Sequence, residues 1–454
     1  MRHAAAISPW CAATPTAEVS SYAVHTERRR RLLDSMAPGS IALIVGANPV
    51  TRSADTEYPF RQNSDFWYLT GFEHPNAVAI LRKGADPEFS LFVEPRDRAA
   101  ETWTGYRPGL EGARSDYGAD EAFPHEELLQ RIPELIAGAP RIYHQLGRSD
   151  ALDSSLVGAL DEMRLRSRAG RIPASELVDP REIVHEMRLH KSDAELELMR
   201  RANEITTEAH HEAAKIAHEG HYEYELEAVL DYTFRRRGGS GPAYATIVGG
   251  GRNATILHYI ANDQPLRNGD LVLIDAGCEF AGYAADVTRT YPVGGRFEGA
   301  ARELYEVVLA AQLASLEVSR PGATLVQIHD ASVAALVEGM VAVGLLTGDP
   351  AELIQKEAYR SYYMHNTSHW LGLDVHDVGT YRDGGEPRPL EPGMCFTIEP
   401  GLYVPADDDA ADPRFRGIGI RIEDDVAVTE TGCENLTAAI PKRPDDVEAW
   451  MREA

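Results

Sequence analysis

The chain has 454 residues, of which 43% are hydrophobic and 26% are charged, and its formal net charge at pH 7 is −26. This composition is that of a globular protein with ample core material, so a disordered, collagen-like or membrane-embedded chain is excluded. Because an acidic surface repels polyanions, nucleic acid is not expected as a partner. A length above about 300 residues predicts more than one domain.

Neither a membrane segment nor a targeting segment is predicted. We expect no apolar run that approaches the ~18 residues of a membrane span, because charges, glycine or proline interrupt each candidate. The cysteines, Cys11, Cys278, Cys395 and Cys433, are scattered without a close pair, unlike a disulfide framework or a thiolate zinc site. The expected compartment is a reducing cytoplasm. Residues 1–24 lack a signal-peptide apolar core and are interpreted as a poorly ordered extension.

The first part of the chain alternates short apolar runs with helical stretches. Residues 41–45 and 77–81 are predicted to be buried strands. This alternation indicates an α/β domain over residues 25–185. The basic run at residues 28–31 is interpreted as the solvated face of an early helix. Isolated prolines and polar residues at 171–180 are typical of an inter-domain connection.

A second domain is predicted over residues 186–445, followed by a C-terminal tail at 446–454. It opens with a long helix, since Ser192 and Glu195 have the spacing of a capping box. Strands then dominate, and a second helical block is predicted at about 300–345.

Two aspartates fall in a predicted β-hairpin. An apolar run ends at Asp275, and a second strand at residues 283–291 contains Asp286. The two aspartates lie symmetrically about a centre between Phe280 and Ala281, so in a regular register their Cβ atoms would be ~5 Å apart. Like charges opposed on a sheet are destabilising, so we expect a cation between them. That cation could be a metal ion, an arginine or a lysine.

Two further carboxylates follow apolar strands. Glu399 comes after residues 394–398, and Glu423 comes after 418–422, where strand alternation puts Arg421 on the same face as Glu423. Three histidines, His365, His369 and His376, lie close together in the sequence, and His258 lies further upstream.

Carboxylates with a single imidazole suit Mn²⁺, Co²⁺, Fe²⁺ or Zn²⁺, whereas the absence of thiolates disfavours a structural zinc site. Four carboxylates around one divalent ion would keep a net charge of about −2. Two ions would make the ligand set about neutral and could activate a shared hydroxide.

These motifs, in this order and spacing, resemble those of Xaa-Pro aminopeptidases of the aminopeptidase P type, pita-bread metallopeptidases of family M24B. The motifs are residues 273–277, 285–290, 365–377, 397–401 and 419–424. Residues 60–72 are similar to the smaller domain that precedes the catalytic one in this family. The resemblance covers about residues 25–445 and implies an α/β N-terminal domain followed by an α+β pita-bread (creatinase/aminopeptidase-like) catalytic domain.

The resemblance also implies the ligands of two divalent metal ions per subunit, typically manganese. Asp286 and Glu423 would bridge the two ions, Asp275 would complete one of them, and His369 with Glu399 would complete the other.

The implied reaction removes the first residue of a peptide whose second residue is proline, by attack of a hydroxide that bridges the two ions. Glu399 would also carry protons, and Arg421 would hold the carboxylates in place. Three histidines would bind substrate carbonyls or the developing oxyanion: His258, His365 and His376. Tyr403 and Trp370 are candidates for the wall of the proline pocket.

The resemblance implies peptide substrates and a dimer or tetramer of identical chains, to which Trp103 could contribute a contact. The nearest alternative is a Xaa-Pro dipeptidase (prolidase) of the same fold, and a phosphotriesterase side activity is conceivable. An alternative of another class is an inactive binding protein on the same scaffold. Methionine aminopeptidase is disfavoured because it generally has no comparable N-terminal domain.

Overall fold

The structure is a computed structural model, and it describes residues 21–166 and 172–453. The chain divides into two compact units, Met1–Val184 and His185–Ala454. Of the extension expected at residues 1–24, residues 1–20 lie outside the described residues, and 21–24 already belong to the first helix.

The first unit combines helices with a mixed sheet. Its helices are α1 (Ser21–Ser35), α2 (Ser64–Thr70), α3 (Arg98–Thr104), α4 (Gly109–Ser115), α5 (Leu128–Leu135) and α6 (Asp150–Leu165). Its strands are β1 (Ile41–Val45), β2 (Thr51–Ser53), β3 (Thr56–Glu57), β4 (Val78–Arg82), β5 (Phe89–Val93), β6 (Glu121–Pro124), β7 (Arg141–His144) and β8 (Glu176–Val178). Helix α7 (Arg181–Leu189) spans the boundary between the units.

The sheet of the first unit has the strand order β6-β5-β4-β1-β7-β8. β1 pairs antiparallel with β4 and parallel with β7. Apolar side chains of these strands, such as Leu43, Ile80 and Ile142, pack with Leu152 and Leu156 of α6 in one core. The α/β domain predicted from the alternation of apolar runs is confirmed.

Two expectations for this unit are wrong in part. The basic run does lie on an early helix, and Arg30 and Arg31 are exposed. Arg28 and Arg29 are instead buried, because their guanidinium groups stack on the rings of Tyr68 and Phe89, each 4.0 Å from the ring centroid. Their planar cations are more weakly hydrated than a lysine ammonium, which makes such stacking favourable. The predicted connection at 171–180 contains β8, which pairs parallel with β7.

The second unit contains longer helices and several small antiparallel sheets. Its helices are α8 (Asp193–Lys215), α9 (Glu223–Arg236), α10 (Gly299–Val318), α11 (Leu325–Val343), α12 (Pro350–Gln355) and α13 (Pro444–Trp450). Its strands are β9 (Gly241–Pro242), β10 (Ile247–Gly250), β11 (Leu271–Asp275), β12 (Cys278–Phe280), β13 (Tyr283–Ala284), β14 (Thr288–Pro292), β15 (Arg382–Asp383), β16 (Glu386–Pro387), β17 (Cys395–Ile398), β18 (Gly401–Tyr403), β19 (Gly419–Arg421), β20 (Asp424–Val428) and β21 (Cys433–Asn435).

The small sheets of this unit have the orders β10-β11-β14, β13-β12-β9, β17-β20-β21 and β18-β19, beside the β15-β16 pair. One apolar core joins the β10-β11-β14 and β18-β19 sheets to α8, α9, α10 and α11, and a second core contains residues of β17 and β20. The predicted capping box is confirmed, because the Ser192 hydroxyl accepts from the Glu195 amide and the Glu195 carboxylate accepts from the Ser192 amide.

The predicted hairpin forms in a different register. Asp275 pairs with Thr288 rather than with Asp286, because the turn is at Ala281 and Gly282, both of which have positive φ. Such a two-residue turn matches the twist of the strands, and it moves the centre of the hairpin one residue towards the C-terminus.

Two further segments differ from expectation. By length and composition α11 could cross a membrane, contrary to the expected absence of such a run, but its Leu336 and Met340 are buried in the protein core. The tail expected at 446–454 overlaps α13, whose Val447 is fully buried in the same core, so the second unit extends at least to Trp450.

Candidate metal centre

Strand ends bring the predicted ligands together. β11 ends at Asp275, Glu399 directly follows β17, and Glu423 lies between β19 and β20. Asp286 lies in the gap between β13 and β14. The loop with His369 runs beside β17, since the Thr397 amide donates to the His369 carbonyl at 3.0 Å. Five side chains that are distant in sequence therefore line one cavity.

One hydroxyl joins two of the carboxylates. The Tyr244 oxygen lies 2.6 Å from Asp275 Oδ1 and 2.6 Å from Asp286 Oδ1. Because a phenol has a single hydrogen, it can donate to only one of them at a time. The two carboxylates are therefore drawn close together with one donor between them.

A second part of the centre contains the imidazole. His369 Nε2 lies 3.3 Å from Asp286 Oδ2 and 3.4 Å from Glu399 Oε1. Ligand atoms of Asp286, His369 and Glu423 all lie within 4.8 Å of one another. His369 Nδ1 lies 3.0 Å from the Trp370 carbonyl, so a proton on Nδ1 leaves Nε2 free to act as a ligand.

Arg421 supplies the positive charge at one edge of the cluster. Its Nη2 donates to Asp275 Oδ2 at 2.5 Å, its Nη1 to the Tyr403 hydroxyl at 3.0 Å and its Nε to Thr288 Oγ1 at 2.9 Å. Thr288 in turn donates to Glu423 Oε2 at 2.7 Å. The arginine that the sequence allowed as an alternative to metal is thus present, but it forms an ion pair with only one of the four carboxylates.

The remaining negative charge perturbs the cluster strongly. Burial, together with neighbouring carboxylates, raises the pKa of Glu399 to about 7 and raises the pKa of Glu423 well above its usual value. Burial also raises the pKa of Asp275 despite the nearby Arg421. Burial alone would lower the pKa of His369, but its hydrogen bond to Asp286 and the charge of Glu399 hold it at about 9. Each of these raised pKa values favours the protonated group, so the cluster is stabilised by added positive charge.

These residues fit divalent cations. The donor set is carboxylate oxygen with one imidazole nitrogen, which suits Mn²⁺, Fe²⁺, Co²⁺ or Zn²⁺. A single guanidinium, even together with the His369 imidazolium, cannot neutralise four carboxylates, of which Asp275, Asp286 and Glu423 are buried, and unpaired buried charges are costly. Bound cations would remove this repulsion.

The ligands line a cavity of about 700 Å³. His258 and His376 also line it and are exposed. The His376 ring packs edge-on against that of His369, with centroids 4.5 Å apart. Leu257, Ile260 and other apolar side chains form much of the remaining wall, so the cavity combines hydrogen-bonding groups with apolar surface.

His365 and two predicted pocket aromatics have different surroundings from those expected. His365 lines the cavity, but its Nε2 lies 2.9 Å from the Tyr403 hydroxyl and its Nδ1 lies 2.7 Å from the Asn366 carbonyl. Tyr403 is buried and is not part of the cavity wall, in contrast to the direct substrate contact expected. Trp370 is also buried, in an apolar core, and Tyr381 stacks on it and reaches the cavity.

The sequence interpretation missed Tyr244 and the role of Thr288. Tyr244 lies in the loop between β9 and β10, which carries no motif, so only the folded chain reveals its position between two aspartates. Thr288 belongs to a quoted motif, and strand pairing with Asp275 could have identified it had the register been right.

Two family models match separate parts of the chain. Residues 197–430 match the model of metallopeptidase family M24. Residues 25–143 match the aminopeptidase P N-terminal domain.

Curated and solved relatives match over nearly the whole chain. It is 48% identical to a Xaa-Pro aminopeptidase of Escherichia coli (strain K12), with 93% of this chain and 96% of the relative covered. A Xaa-Pro aminopeptidase of Haemophilus influenzae is 43% identical, with 94% and 96% covered. The structure of Pseudomonas aeruginosa aminopeptidase PepP superimposes with a TM-score of 0.92 at 46% identity, covering 95% of this chain and 98% of that one. Zinc-substituted E. coli aminopeptidase P in complex with product superimposes with a TM-score of 0.91 at 47% identity and the same coverage.

Proposed function

This chain belongs to metallopeptidase family M24 and is a metallo-aminopeptidase of the Xaa-Pro type, and from this premise we propose that two divalent cations, held by the carboxylate cluster, serve its reaction. The ligands are Asp275, Asp286, His369, Glu399 and Glu423. The observation that carries the proposal is the meeting of four carboxylates and one imidazole in a single cavity with one arginine to offset them. Manganese is the metal we assign, from the family.

The cations would supply Lewis acidity towards a peptide carbonyl and make water ionise near neutral pH. Glu399 takes the proton of the attacking water and passes it to the departing amine, because its carboxylate faces the cavity beside His369. Thr397 donates to Glu399 Oε1 at 3.2 Å, which holds that oxygen in place while the other remains available.

Two histidines contact the substrate directly in this proposal. His258 and His376 line the cavity, so each can donate a hydrogen bond to a substrate carbonyl or to the developing oxyanion. His365 acts differently. Its contact with Tyr403 supports the hydroxyl that accepts from Arg421, so His365 and Tyr403 together position Arg421 and, through it, Asp275.

The peptide bond before proline has no N–H, so the enzyme cannot grip the substrate there by a hydrogen bond. The apolar wall of the cavity supports recognition by shape instead. Leu257, Ile260 and Val375 offer surface to the pyrrolidine ring and to the first side chain.

We place the N-terminal domain at residues 25–185 and the catalytic domain from residue 186 to at least Trp450, since α13 packs in its core. We assign the enzyme to the cytoplasm, consistent with Cys278, Cys395 and Cys433, which are all free. A dimer or tetramer is supported by Trp103, whose surface is 88% exposed on a helix with no buried residues.

The test is a manganese-dependent cleavage assay on Xaa-Pro peptides of graded length. We expect release of the first residue from Xaa-Pro-Xaa and longer peptides, which a strict dipeptidase would not cleave. Asp286→Ala removes a ligand that faces both His369 and Tyr244, so turnover should be lost and manganese binding, measured by calorimetry, should weaken. Full activity of this variant, or activity on dipeptides alone, would contradict the proposal.

A further inference from the structure

The segment that carries His258 has little backbone support of its own. Within the described chain, no amide of residues 257–263 donates a backbone–backbone hydrogen bond. In the same part of the structure the His258 ring has no hydrogen-bond partner, although it lines the cavity. The position of His258 therefore depends on whatever fixes the backbone on either side of it.

Glu223 contacts the chain on both sides of this histidine. It is the first residue of α9 and is fully buried. Its Oε1 accepts from the Gly250 amide at 2.7 Å and from Asn253 Nδ2 at 3.0 Å. Its Oε2 accepts from the Tyr259 hydroxyl at 2.9 Å and from the Gln264 amide at 2.9 Å. One carboxylate thus ties together residues 250 to 264.

The chemistry of these contacts requires a carboxylate. Each of the four partners donates, and a carboxylate is the side chain that offers two oxygens and only acceptors. In the described chain Glu223 forms no ion pair, so these hydrogen bonds and the positive end of α9 compensate its buried charge. A buried carboxylate is costly unless it is hydrogen-bonded. Here all four of its donors come from the segment around His258.

A second contact lies one helical turn further along α9. Asn262 is buried and has a positive φ of 46°. Its Nδ2 donates to Glu227 Oε2 and to the Thr246 carbonyl, each at 2.9 Å, and its Oδ1 accepts from the Val248 amide. Asn253 and Asn262 therefore attach the chain to α9 on either side of residues 257–261. Of the two glutamates, Glu223 contacts residues both before and after this stretch.

We propose that Glu223 is a positioning residue for catalysis, which holds the segment 250–264 so that His258 faces the substrate. This inference rests on the proposed function of His258, but the attachment itself can be measured without turnover. Glu223 contacts none of the five metal ligands in the described structure, so its effect should be separable from metal binding.

The first experiment uses Glu223→Gln, which keeps the shape and replaces one acceptor oxygen by an amide that donates. That amide would oppose donors such as the Gln264 or Gly250 amide. We expect hydrogen exchange of the Gly250 and Gln264 amides, which donate to Glu223, to rise by roughly tenfold or more, while manganese binding stays as in the native enzyme. The matched control is Glu225→Gln, because Glu225 caps α9 through the Tyr222 amide and glutamine also serves in a capping box.

The second experiment is a double-mutant cycle with His258→Ala. We expect Glu223→Gln to lower kcat/KM roughly tenfold to hundredfold in the native background, since small displacements of a substrate-binding group have effects of this order. In the His258→Ala background the same change should lower it by less than about twofold, because the group that Glu223 positions is already gone.

Each outcome decides the matter. Equal losses in both backgrounds, or unchanged exchange of the Gly250 and Gln264 amides, would overturn the positioning role. Undiminished activity of His258→Ala would refute the function proposed for that histidine, whereas the exchange measurement would still decide whether Glu223 holds the segment.

Discussion

Repulsion within the carboxylate cluster should make the metal-free enzyme less stable than a variant with one charge fewer. Glu399→Gln is nearly isosteric and removes one charge. The pKa of Glu399 is raised by burial and neighbouring carboxylates from 4.5 to about 7. At about 1.4 kcal/mol per pKa unit, this rise corresponds to about 3 kcal/mol.

The linkage between protonation and folding determines how this difference in stability depends on pH. A carboxyl whose pKa is raised by folding contributes stability that is complete below pH 4.5 and is lost as the pH rises through about 7. Glutamine stays neutral throughout. The free energy of unfolding of the metal-free variant should therefore be larger than that of the metal-free native enzyme by up to about 3 kcal/mol at pH 8. This difference should vanish below about pH 4.5.

The assay is urea denaturation of chelator-treated protein at pH 5 and pH 8, followed by a spectral signal of the catalytic unit. Exposed Glu386 provides the control, since Glu386→Gln lies outside the cluster and should change neither value. Addition of manganese should reverse the order at pH 8, because the native ligand set gains more from the cation. A metal-free Glu399→Gln variant no more stable than the native protein at pH 8 would refute the electrostatic reasoning.

Three further changes test separate parts of the catalytic unit. Arg421→Lys should lower kcat/KM by roughly tenfold or more in steady-state assays, because one ammonium cannot reproduce the three contacts of the guanidinium. Arg289→Met should reduce the free energy of unfolding at pH 7 by about 3–5 kcal/mol, since it leaves fully buried Asp424 with less compensating charge. The pKa of Asp424 would be raised by burial but is held at about 2 by Arg289 and other cations, so the loss should shrink as the pH falls from about 4 to 2 in acid titrations. Gly277→Ala should abolish soluble expression, because a Cβ there would overlap the Ala285 carbonyl oxygen.

Three of the proposed ligands, Asp275, Glu399 and Glu423, can be located from the sequence because each ends an apolar run. An apolar run that ends in a carboxylate, as at Asp275 or Glu399, places a charge at the end of a buried strand whatever the surrounding fold. The resemblance to a family then predicted that these residues belong to one metal site. The α/β character of the first unit was equally local, because it depends on alternation along the chain.

Register and tertiary neighbours were harder to predict. The hairpin centre was misplaced by one residue because the positive φ of Ala281 is unusual for a residue with a side chain. Tyr244 was missed because its contacts with Asp275 and Asp286 form only in the folded chain. The burial of Arg28 and Arg29 was missed because their stacking on Tyr68 and Phe89 depends on contacts at least 40 residues away in sequence.

Three consecutive acids, Glu423 before β20 and Asp424 and Asp425 at its start, illustrate how the fold treats buried charge. Asp424 is matched by Arg289 and Lys442, which hold its pKa at about 2 despite burial. Asp425 accepts from the Asp286 amide at 3.0 Å. Within the described residues the Glu423 carboxylate accepts a hydrogen bond only from the Thr288 hydroxyl, and burial raises its pKa well above the usual value. Because Arg289 and Lys442 form ion pairs with Asp424 and not with the Glu423 carboxylate, the negative charge of Glu423 faces the cavity, where a bound divalent cation would compensate it.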